Sequence, residues 1–360
     1  MRRGFRLARL FGVDILVDGS LLILVFLLTW SLSVDFGDRY PDLTTGVRLV
    51  YAATTSILFL GSVLIHELSH SVVALRRGLD VLRIRLFIFG GVSEIRDDAR
   101  DPGEEFAVAA AGPVASLILG GLLVALGSVV AGPWGRVFGL LGVANVILAG
   151  FNLLPGLPLD GGRLLHAALW RWRGDSSAAT RIAVGSGRIL GLLLAGLGGI
   201  LFFTGAVFAG LWAMAVGWFM YQAALGARAR AEFVAKIDGA RVGDVMRPVA
   251  TAVDGNMPVT EVVALHGFGP RLPSLPVEVN GRVRGLVGDR EVGSLSDEER
   301  STRTAAEVMT TIGPADVVAV ETPLETFFAR EAGATRRALV VADGRVVGVV
   351  TAREVAHLFG

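Results

Sequence analysis

Six long apolar stretches dominate the chain as far as residue 226. A helix crosses a bilayer with about 20 residues at 1.5 Å per residue, and most of these stretches are that long. The pattern predicts a polytopic α-helical membrane protein, whereas the alternative is a large soluble protein with buried helices. The predicted spans cover roughly residues 18–34, 50–75, 106–131, 136–155, 186–207 and 209–226.

Arginines are concentrated on one side of the predicted spans. They occupy the N-terminal segment, the connections after the second and fourth spans and the segment after the sixth, whereas the opposite connections hold only Arg39, Arg48 and Arg136. Under the positive-inside rule, this asymmetry places both the N- and C-termini in the cytoplasm. We interpret the basic N-terminal segment as a retained cytoplasmic end and not as a signal peptide.

The hydrophobic pattern changes after residue 230, where the apolar runs shrink to strand length and charged residues are interspersed. Asn-Gly and Asp-Gly pairs lie between short β-branched runs, which is typical of hairpins. The region also repeats itself with an offset of 63 residues, as two pairs of similar segments show: VGDVM (242–246) with AAEVM (305–309), and NGRVRGLVGDREV (280–292) with DGRVVGVVTAREV (343–355).

These changes of pattern divide the chain into two domains. The repeat predicts a small cytoplasmic α/β domain made of two similar modules, because each unit contains a helix, a strand, a helix, a hairpin and a further helix. The predicted boundaries are a transmembrane domain over 1–230, a linker over 231–240 and the paired modules over 241–360, at about 241–297 and 302–360.

The composition narrows the chemistry that the chain can perform. Its 360 residues are 52% hydrophobic, with a mean hydropathy of +0.60 and a net charge of +1. That charge gives no broad basic surface, so we expect no nucleic-acid partner. Cysteine is absent, which excludes disulfides and thiolate nucleophiles. Any bound metal must therefore have nitrogen and oxygen ligands.

The second predicted span contains the segment GSVLIHELSHSVVALRRG (61–78), which places ionisable residues inside an apolar helix. Such groups cost about 2–3 kcal/mol each at the centre of a membrane helix. His66 and His70 are four residues apart, so both imidazoles lie on one helical face and can chelate one Zn²⁺. Glu67 suits a general base that acts on metal-bound water. The alternative is a pair of buried histidines with a paired glutamate.

Zinc needs a third protein ligand, and the segment FNLLPGLPLDGGRLLHA (151–167) offers Asp160. Two prolines and two glycines break the helix there, and irregular backbone at membrane depth is tolerated where protein buries it or where it lines a cavity. The alternative is a cytoplasmic exit turn. The remaining candidates are carboxylates and the histidines His166, His266 and His357. We interpret His166 as a surface residue, and the alternative is a residue that supports the zinc ligands.

The segment RIRLFIFGGVSEI (83–95) has alternating apolar and β-branched residues and contains the pair Gly90–Gly91. It predicts a β-hairpin that dips into the membrane. The edge of such a hairpin suits pairing with an unwound substrate segment, because a helical substrate hides its carbonyl groups in hydrogen bonds. The alternative is a cytoplasmic strand with no role in substrate binding.

Together, these motifs resemble those of the site-2 protease family of intramembrane zinc metalloproteases. The resemblance covers about residues 50–170, the three-helix catalytic core of that family. It rests on the HExxH segment and on three further stretches, FGGV (89–92), EEFAVAAAGPVAS (104–116) and FNLLPGLPLDGG (151–162).

The resemblance implies His66, His70 and Asp160 as ligands of one zinc ion per chain and Glu67 as the catalytic base. It also implies that Asn152 positions the substrate strand or the tetrahedral oxyanion. The implied substrates are single-pass membrane proteins already trimmed outside the membrane, such as anti-sigma factors. The implied location is a bacterial or archaeal cell membrane, with the lipid bilayer as surroundings.

The chain departs from the family pattern at Ser116, where members often have asparagine, and this departure concerns a contact that supports the zinc site. We find no room for the PDZ insert of many bacterial members. The paired C-terminal modules resemble CBS modules and place the chain near the CBS-tailed branch of the family.

CBS pairs commonly bind adenosine nucleotides, with a Thr or Ser and an Asp around the ribose. Here Thr351 is followed by Glu354 in the Asp position, and the first module offers Gly288 and Glu291. Regulatory binding of a nucleotide at Thr351 and Glu354 and a structural role, such as a homodimer formed through the CBS modules, remain equal alternatives.

Three functions compete on this sequence. The favoured one is an intramembrane zinc metalloprotease that performs regulated intramembrane proteolysis. The second is a metal transporter gated by the CBS modules, which accounts for intramembrane ligands but not for Glu67 beside two chelating histidines. The third is a catalytically silent membrane binding protein that has kept the fold.

Overall fold

The computed structural model describes residues 4–96, 99–237, 239–249, 251–268, 272–329, 337–351 and 354. It divides into two compact units, Met1–Ala231 and Glu232–Gly360. The range predicted as a linker, 231–240, is helical as far as Ile237.

Seven helices of the described residues form most of the first unit. Six of them are long and apolar enough to cross a membrane, in agreement with the prediction. The helices are α1 (Ser20–Arg39), α2 (Thr45–Arg76), α3 (Pro102–Val129), α4 (Gly132–Asn152), the shorter α5 (Asp160–Arg173), α6 (Ser176–Phe203) and α7 (Val207–Ile237).

Large apolar side chains cover the outside of these helices. Leu122, Ile147 and Leu193 are each more than half exposed. An apolar surface of this extent is unfavourable in water and suits the hydrocarbon of a bilayer. The protein is therefore an integral membrane protein.

Glycines allow neighbouring membrane helices to approach closely. A Cβ atom on Gly127 of α3 would lie 2.6 Å from the backbone nitrogen of Gly139 in α4. Likewise, a Cβ atom on Gly198 of α6 would lie 2.7 Å from the carbonyl oxygen of Gly210 in α7. Membrane helices associate through such small-residue contacts because lipid provides no hydrophobic force between them.

A four-stranded sheet completes the first unit, with the strand order β1-β2-β3-β4. The predicted hairpin over 83–95 is confirmed as β3 and β4, which pair antiparallel, whereas β2 and β3 pair in parallel. The two N-terminal strands were not predicted. The strands are β1 (Phe5–Leu10), β2 (Val13–Val17), β3 (Val81–Phe87) and β4 (Gly90–Ile95).

The tip of the β3-β4 hairpin packs against the last membrane helix. Phe89 stacks on Phe219 of α7 with 4.6 Å between the ring centroids. Trp212 of the same helix lies 6.0 Å from Phe89. Strand β4 forms one edge of the sheet, and these aromatic contacts fix the end of that edge.

The second unit contains short helices and strands in two similar series, as the repeat predicts. Its helices are α8 (Val242–Val245), α9 (Val259–His266), α10 (Asp289–Gly293), α11 (Asp297–Thr302), α12 (Ala305–Val308) and α13 (Leu324–Ala329). Its strands are β5 (Arg247–Pro248), β6 (Val253–Asp254), β7 (Leu275–Val279), β8 (Arg282–Val287), β9 (Thr310–Thr311), β10 (Val317–Ala319), β11 (Arg337–Ala342) and β12 (Arg345–Thr351).

The two modules of this unit exchange strands. One sheet has the order β6-β7-β8-β9 and the other has β10-β11-β12-β5. Strand β5 thus lies in the range of the first module but joins the sheet of the second, and β9 lies in the range of the second module but joins the sheet of the first. Leu286, Leu339 and Val349 pack together in one buried cluster, so the two sheets share apolar contacts. The predicted α/β pair of modules is confirmed.

Candidate metal centre

Three potential metal ligands meet between α2 and α5. His66 and His70 lie one turn apart on α2, and Asp160 is the first residue of α5. Oδ2 of Asp160 is 3.1 Å from Nε2 of His66 and 3.2 Å from Nε2 of His70. The two Nε2 atoms are 3.3 Å apart, so the three atoms form a nearly equilateral triangle.

This triangle has the dimensions that zinc requires. Ligand bonds of about 2.0–2.1 Å in tetrahedral geometry place the ligand atoms about 3.3 Å apart. Gly112 of α3 faces the same place. A Cβ atom on Gly112 would overlap Nε2 of His70 and would lie 2.7 Å from Nε2 of His66. The donor atoms and the space beside them therefore fit a zinc ion.

The hydrogen bonds of the two imidazoles leave their Nε2 atoms free to bind a metal. Nδ1 of His70 is 2.7 Å from the carbonyl oxygen of Val108, which only accepts, so Nδ1 carries the proton. Nδ1 of His66 is 3.0 Å from Oγ of Ser116, a residue that is 1% exposed. Partners of this kind fix the ring orientation and the tautomer of metal-binding histidines. Ser116, which stands where family members often have asparagine, thus supports the ring of His66 with its hydroxyl group.

The broken helix between α4 and α5 is packed tightly enough to hold Asp160 in place. A Cβ atom on Gly161 would overlap the carbonyl oxygen of Leu153. One on Gly156 would lie 2.6 Å from the Cα atom of Gly187 in α6. The backbone nitrogen of Leu157 also donates to a carbonyl of α6 at 3.1 Å. The glycines of the break therefore permit close contacts that larger residues would prevent.

Glu67 lies beside the triangle and packs against strand β4. It is 8% exposed, and Oε2 of its carboxylate is 2.9 Å from Oγ of Ser93 in β4. A Cβ atom on Gly91 would overlap the side chain of Glu67. The carboxylate is thus enclosed between α2 and the edge strand of the sheet.

The structure places the other residues singled out in the sequence elsewhere or gives them local partners. The side-chain amide of Asn152 donates to the carbonyl of Leu148 in its own helix at 3.0 Å, and its role in substrate binding stays a prediction. In the second unit, the hydroxyl of Thr351 donates to the carboxylate of Glu354. His266 belongs to that unit, and His357 lies outside the described residues.

The interpretation of His166 as a surface residue is wrong. It is only 9% exposed, its Nδ1 is 2.6 Å from Oε2 of Glu105, and its Nε2 is 3.0 Å from Oγ1 of Thr180. Burial alone lowers the pKa of His166, but the hydrogen bond to Glu105, the negative charge of Glu105 and a hydrogen bond to the backbone of Ser176 together outweigh burial, so the pKa lies above its ordinary value. The histidine joins α5 to α3 and α6 and is separate from the triangle.

Comparisons with known proteins agree with this geometry. The family model of peptidase family M50 matches residues 54–133 and 126–195, and the CBS domain model matches residues 305–360. Rip3 of Mycobacterium tuberculosis is 34% identical, and the match covers 99% of this chain and 93% of Rip3. The chain belongs to peptidase family M50, the site-2 proteases.

A curated relative and a solved structure from the archaeon Methanocaldococcus jannaschii are also similar to this M50 peptidase. Zinc metalloprotease MJ0392 is 28% identical, over 85% of each chain. A solved site-2 protease is 28% identical, with a TM-score of 0.44, and the match covers 62% of this chain and 94% of that structure. The match to the M50 family model and the 34% identity to Rip3 confirm the resemblance found in the sequence motifs. The chain is a membrane zinc metalloprotease with CBS modules at its C-terminal end.

Proposed function

We propose that this metalloprotease hydrolyses peptide bonds inside the bilayer, within the membrane-spanning segments of single-pass proteins. His66, His70 and Asp160 hold the zinc ion, and Glu67 is the general base. The observation that carries the proposal is the depth of the triangle. His66 precedes Arg76, the last residue of α2, by ten positions, which corresponds to about 15 Å along the helix.

The residues of the site divide the chemistry between them. Zinc, when bound, polarises the carbonyl group and activates water for attack. Glu67 accepts the proton of the attacking water and passes it to the nitrogen of the departing amine. Asn152 stays the candidate for orienting the substrate or its oxyanion. Strand β4 is an edge strand of the sheet beside Glu67, which suits a substrate that enters as an extended strand.

The proposal includes the orientation of the chain in the membrane. It leaves two possible roles of the CBS modules open. Both ends of the chain face the cytoplasm of a bacterial or archaeal cell, in keeping with the arginine asymmetry. Nucleotide binding at Thr351 and Glu354 and dimerisation through the modules stay predictions. In the first module, the corresponding Glu291 is already bonded to Arg337 and Thr310.

The position of Glu67 beside the three metal ligands favours hydrolysis over metal transport. A transport pathway needs ligands that release the ion, and it gives no reason for an adjacent carboxylate. Here Glu67 lies next in sequence to His66 on α2 and is held against strand β4. Its position suits a proton acceptor beside a metal site.

The test is cleavage by the Glu67→Gln variant in lipid vesicles that contain a single-pass substrate. We expect cleavage to fall at least about 100-fold, since general bases contribute 10²–10⁴-fold, while bound zinc stays at the wild-type level. The control is Ser69→Ala, because the Ser69 hydroxyl donates to Ile65 of its own helix. Wild-type cleavage by Glu67→Gln would refute the proposal, and zinc flux across the vesicle membrane would favour the transporter.

A further inference from the structure

The hydroxyl of Ser93 lies at the junction of strand β4 and helix α2. Its Oγ is 2.9 Å from Oε2 of Glu67 and 3.1 Å from the backbone oxygen of the same residue. Ser71, which is 1% exposed, places its own Oγ 3.3 Å from that of Ser93 and 3.1 Å from the backbone oxygen of Glu67. Two hydroxyl groups thus share two acceptors on one residue.

Within this cluster, the Ser93 hydroxyl is the group that lies within hydrogen-bond distance of the Glu67 carboxylate, whichever acceptor Ser71 uses. An ionised carboxylate only accepts hydrogen bonds, and each hydroxyl has a single proton to donate. If Ser71 donates to the backbone oxygen of Glu67, the proton of Ser93 is free for the carboxylate. Ser93 then makes a charge-assisted hydrogen bond to Oε2, which is stronger than a bond between neutral groups.

The same strand holds the Glu67 side chain from a second direction. Gly91 and Ser93 are two residues apart, so they face the same side of β4. A Cβ atom on Gly91 would overlap the Glu67 side chain, which shows that the carboxylate arm lies directly against the backbone there. Contact at Gly91 and the hydrogen bond at Ser93 therefore restrict the rotamers of Glu67 together.

We propose that Ser93 is a positioning residue that holds the carboxylate of Glu67 in the orientation needed for proton transfer. This inference rests on the proposed role of Glu67 as the base. Ser93 keeps its own proton throughout, and the transferred proton moves from water to Glu67 and then to the departing amine. Because Ser93 belongs to the edge strand, the orientation of the base depends on the position of that edge.

The kinetic test compares Ser93→Ala with Ser93→Thr in full-length protein reconstituted into lipid vesicles. For Ser93→Ala, we expect kcat to fall about 10-fold to 100-fold, with unchanged KM and unchanged zinc content, because a misdirected base loses part of its 10²–10⁴-fold contribution. Ser93→Thr should restore kcat, since threonine has the hydroxyl and suits a strand. Ser69→Ala is the control and should keep the wild-type kcat.

A second measurement does not depend on cleavage. Amide hydrogen exchange of residues 90–95 is measured for Ser93→Ala, Glu67→Ala and the double variant. If the two side chains are coupled, each single change should raise exchange several-fold, and the double variant should exchange no faster than either. This readout stays available even if no substrate is cleaved, which separates a failure of this inference from a failure of the proposed function.

Three results would overturn the inference. One is a kcat for Ser93→Ala within twofold of wild type. Another is a loss of zinc or a rise in KM that accounts for the whole loss of activity, since either would indicate a structural role. The third is additive hydrogen exchange in the double variant.

Discussion

At the scale of single residues, the metal centre depends on an absent side chain as well as on its ligand atoms. Gly112 leaves the space beside both Nε2 atoms, and a methyl group there would overlap the ring of His70. That ring cannot turn away without breaking its hydrogen bond to Val108. The space needed beside the two imidazoles therefore explains why the AAAGPVAS segment has glycine at position 112.

We predict that Gly112→Ala weakens zinc binding at least about tenfold, which corresponds to about 1.4 kcal/mol. The methyl group would compete with the ion for the space between the imidazoles. Zinc retained after dialysis against buffers of fixed free zinc provides the measurement. Gly121→Ala in the same helix is the matched control, because a Cβ atom there would meet nothing within 4 Å. Equal zinc affinity in the two variants would contradict this explanation.

At the scale of elements, the position of Asp160 depends on how the segment between α4 and α5 packs on α6. Leu157 donates from its backbone nitrogen to Ala183 of α6 at 3.1 Å. A Cβ atom on Gly187, one turn further along α6, would overlap the carbonyl oxygen of Leu157. A backbone atom cannot rotate away as a side chain can, so this contact requires glycine. Helix α6 thus supports a zinc ligand that it does not itself contain.

Two alanine variants of α6 should therefore have opposite effects. Gly187→Ala should destabilise the protein by about 1–3 kcal/mol and lower its zinc content, because overpacking displaces the segment before Asp160. Gly185→Ala should be neutral or stabilising by up to about 1 kcal/mol, since Gly185 has open space and alanine favours helix. Thermal unfolding in detergent and metal analysis measure both effects. A stabilised, fully zinc-loaded Gly187→Ala would show that the contact is unimportant.

At the scale of the whole molecule, each unit taken by itself is stabilised by contacts between residues that are far apart in the sequence. In the second unit, the buried pair of Glu291 and Arg337 connects α10 of the first module with β11 of the second. Burial alone raises the pKa of Glu291, but hydrogen bonds from Arg337 and Thr310 outweigh it, so the pKa lies below its ordinary value. The ionised form is therefore the one that stabilises the fold.

This pair predicts a pH dependence for the stability of the second unit. Because the folded-state pKa of Glu291 is lowered, its contribution is complete above the unfolded value of about 4.3 and is lost as the pH falls through the folded value. Glu291→Gln should cost about 1.5–3 kcal/mol at pH 7, and the difference from wild type should shrink below about pH 4.3.

Hydrogen-exchange protection factors of β8 and β11 in the full-length chain measure this difference. The matched control is Asp297→Asn, whose pair with Arg300 lies at the surface, where Asp297 is 98% exposed, and is expected to change protection little. A difference between Glu291→Gln and wild type that stays constant or grows as the pH falls would exclude the assigned role.

The parts of this structure that were predictable from sequence are those set by local patterns. The spans follow from long apolar runs, the imidazole pair from helical spacing and Asp160 from the prolines and glycines around it. Strands β1 and β2 were missed. The turn that joins them lies at Phe11 and Gly12, which have positive φ angles of 51° and 83°. The basic residues of the two strands were interpreted as a retained cytoplasmic end, and their partner strand β3 begins only at Val81.

Residues that act through distant contacts gave no local signal. Ser93 meets Glu67 across 26 positions, and His166 meets Glu105 across 61 positions. Neither partner can be inferred from periodicity, because periodicity reports which face of an element is apolar and not what that face meets. This is why the buried position of His166 contradicted its interpretation as a surface residue.

The crossed strands of the CBS unit have a consequence for where this protein can be divided. The matched CBS segment, 305–360, contains β9, yet the partner of β9 is β8, which lies before that segment. A fragment cut there would keep a strand that has lost its neighbour, and the part left behind would expose the edge of β8. Recombination between genes should therefore transfer the two CBS modules together, because neither module keeps a complete sheet without the other.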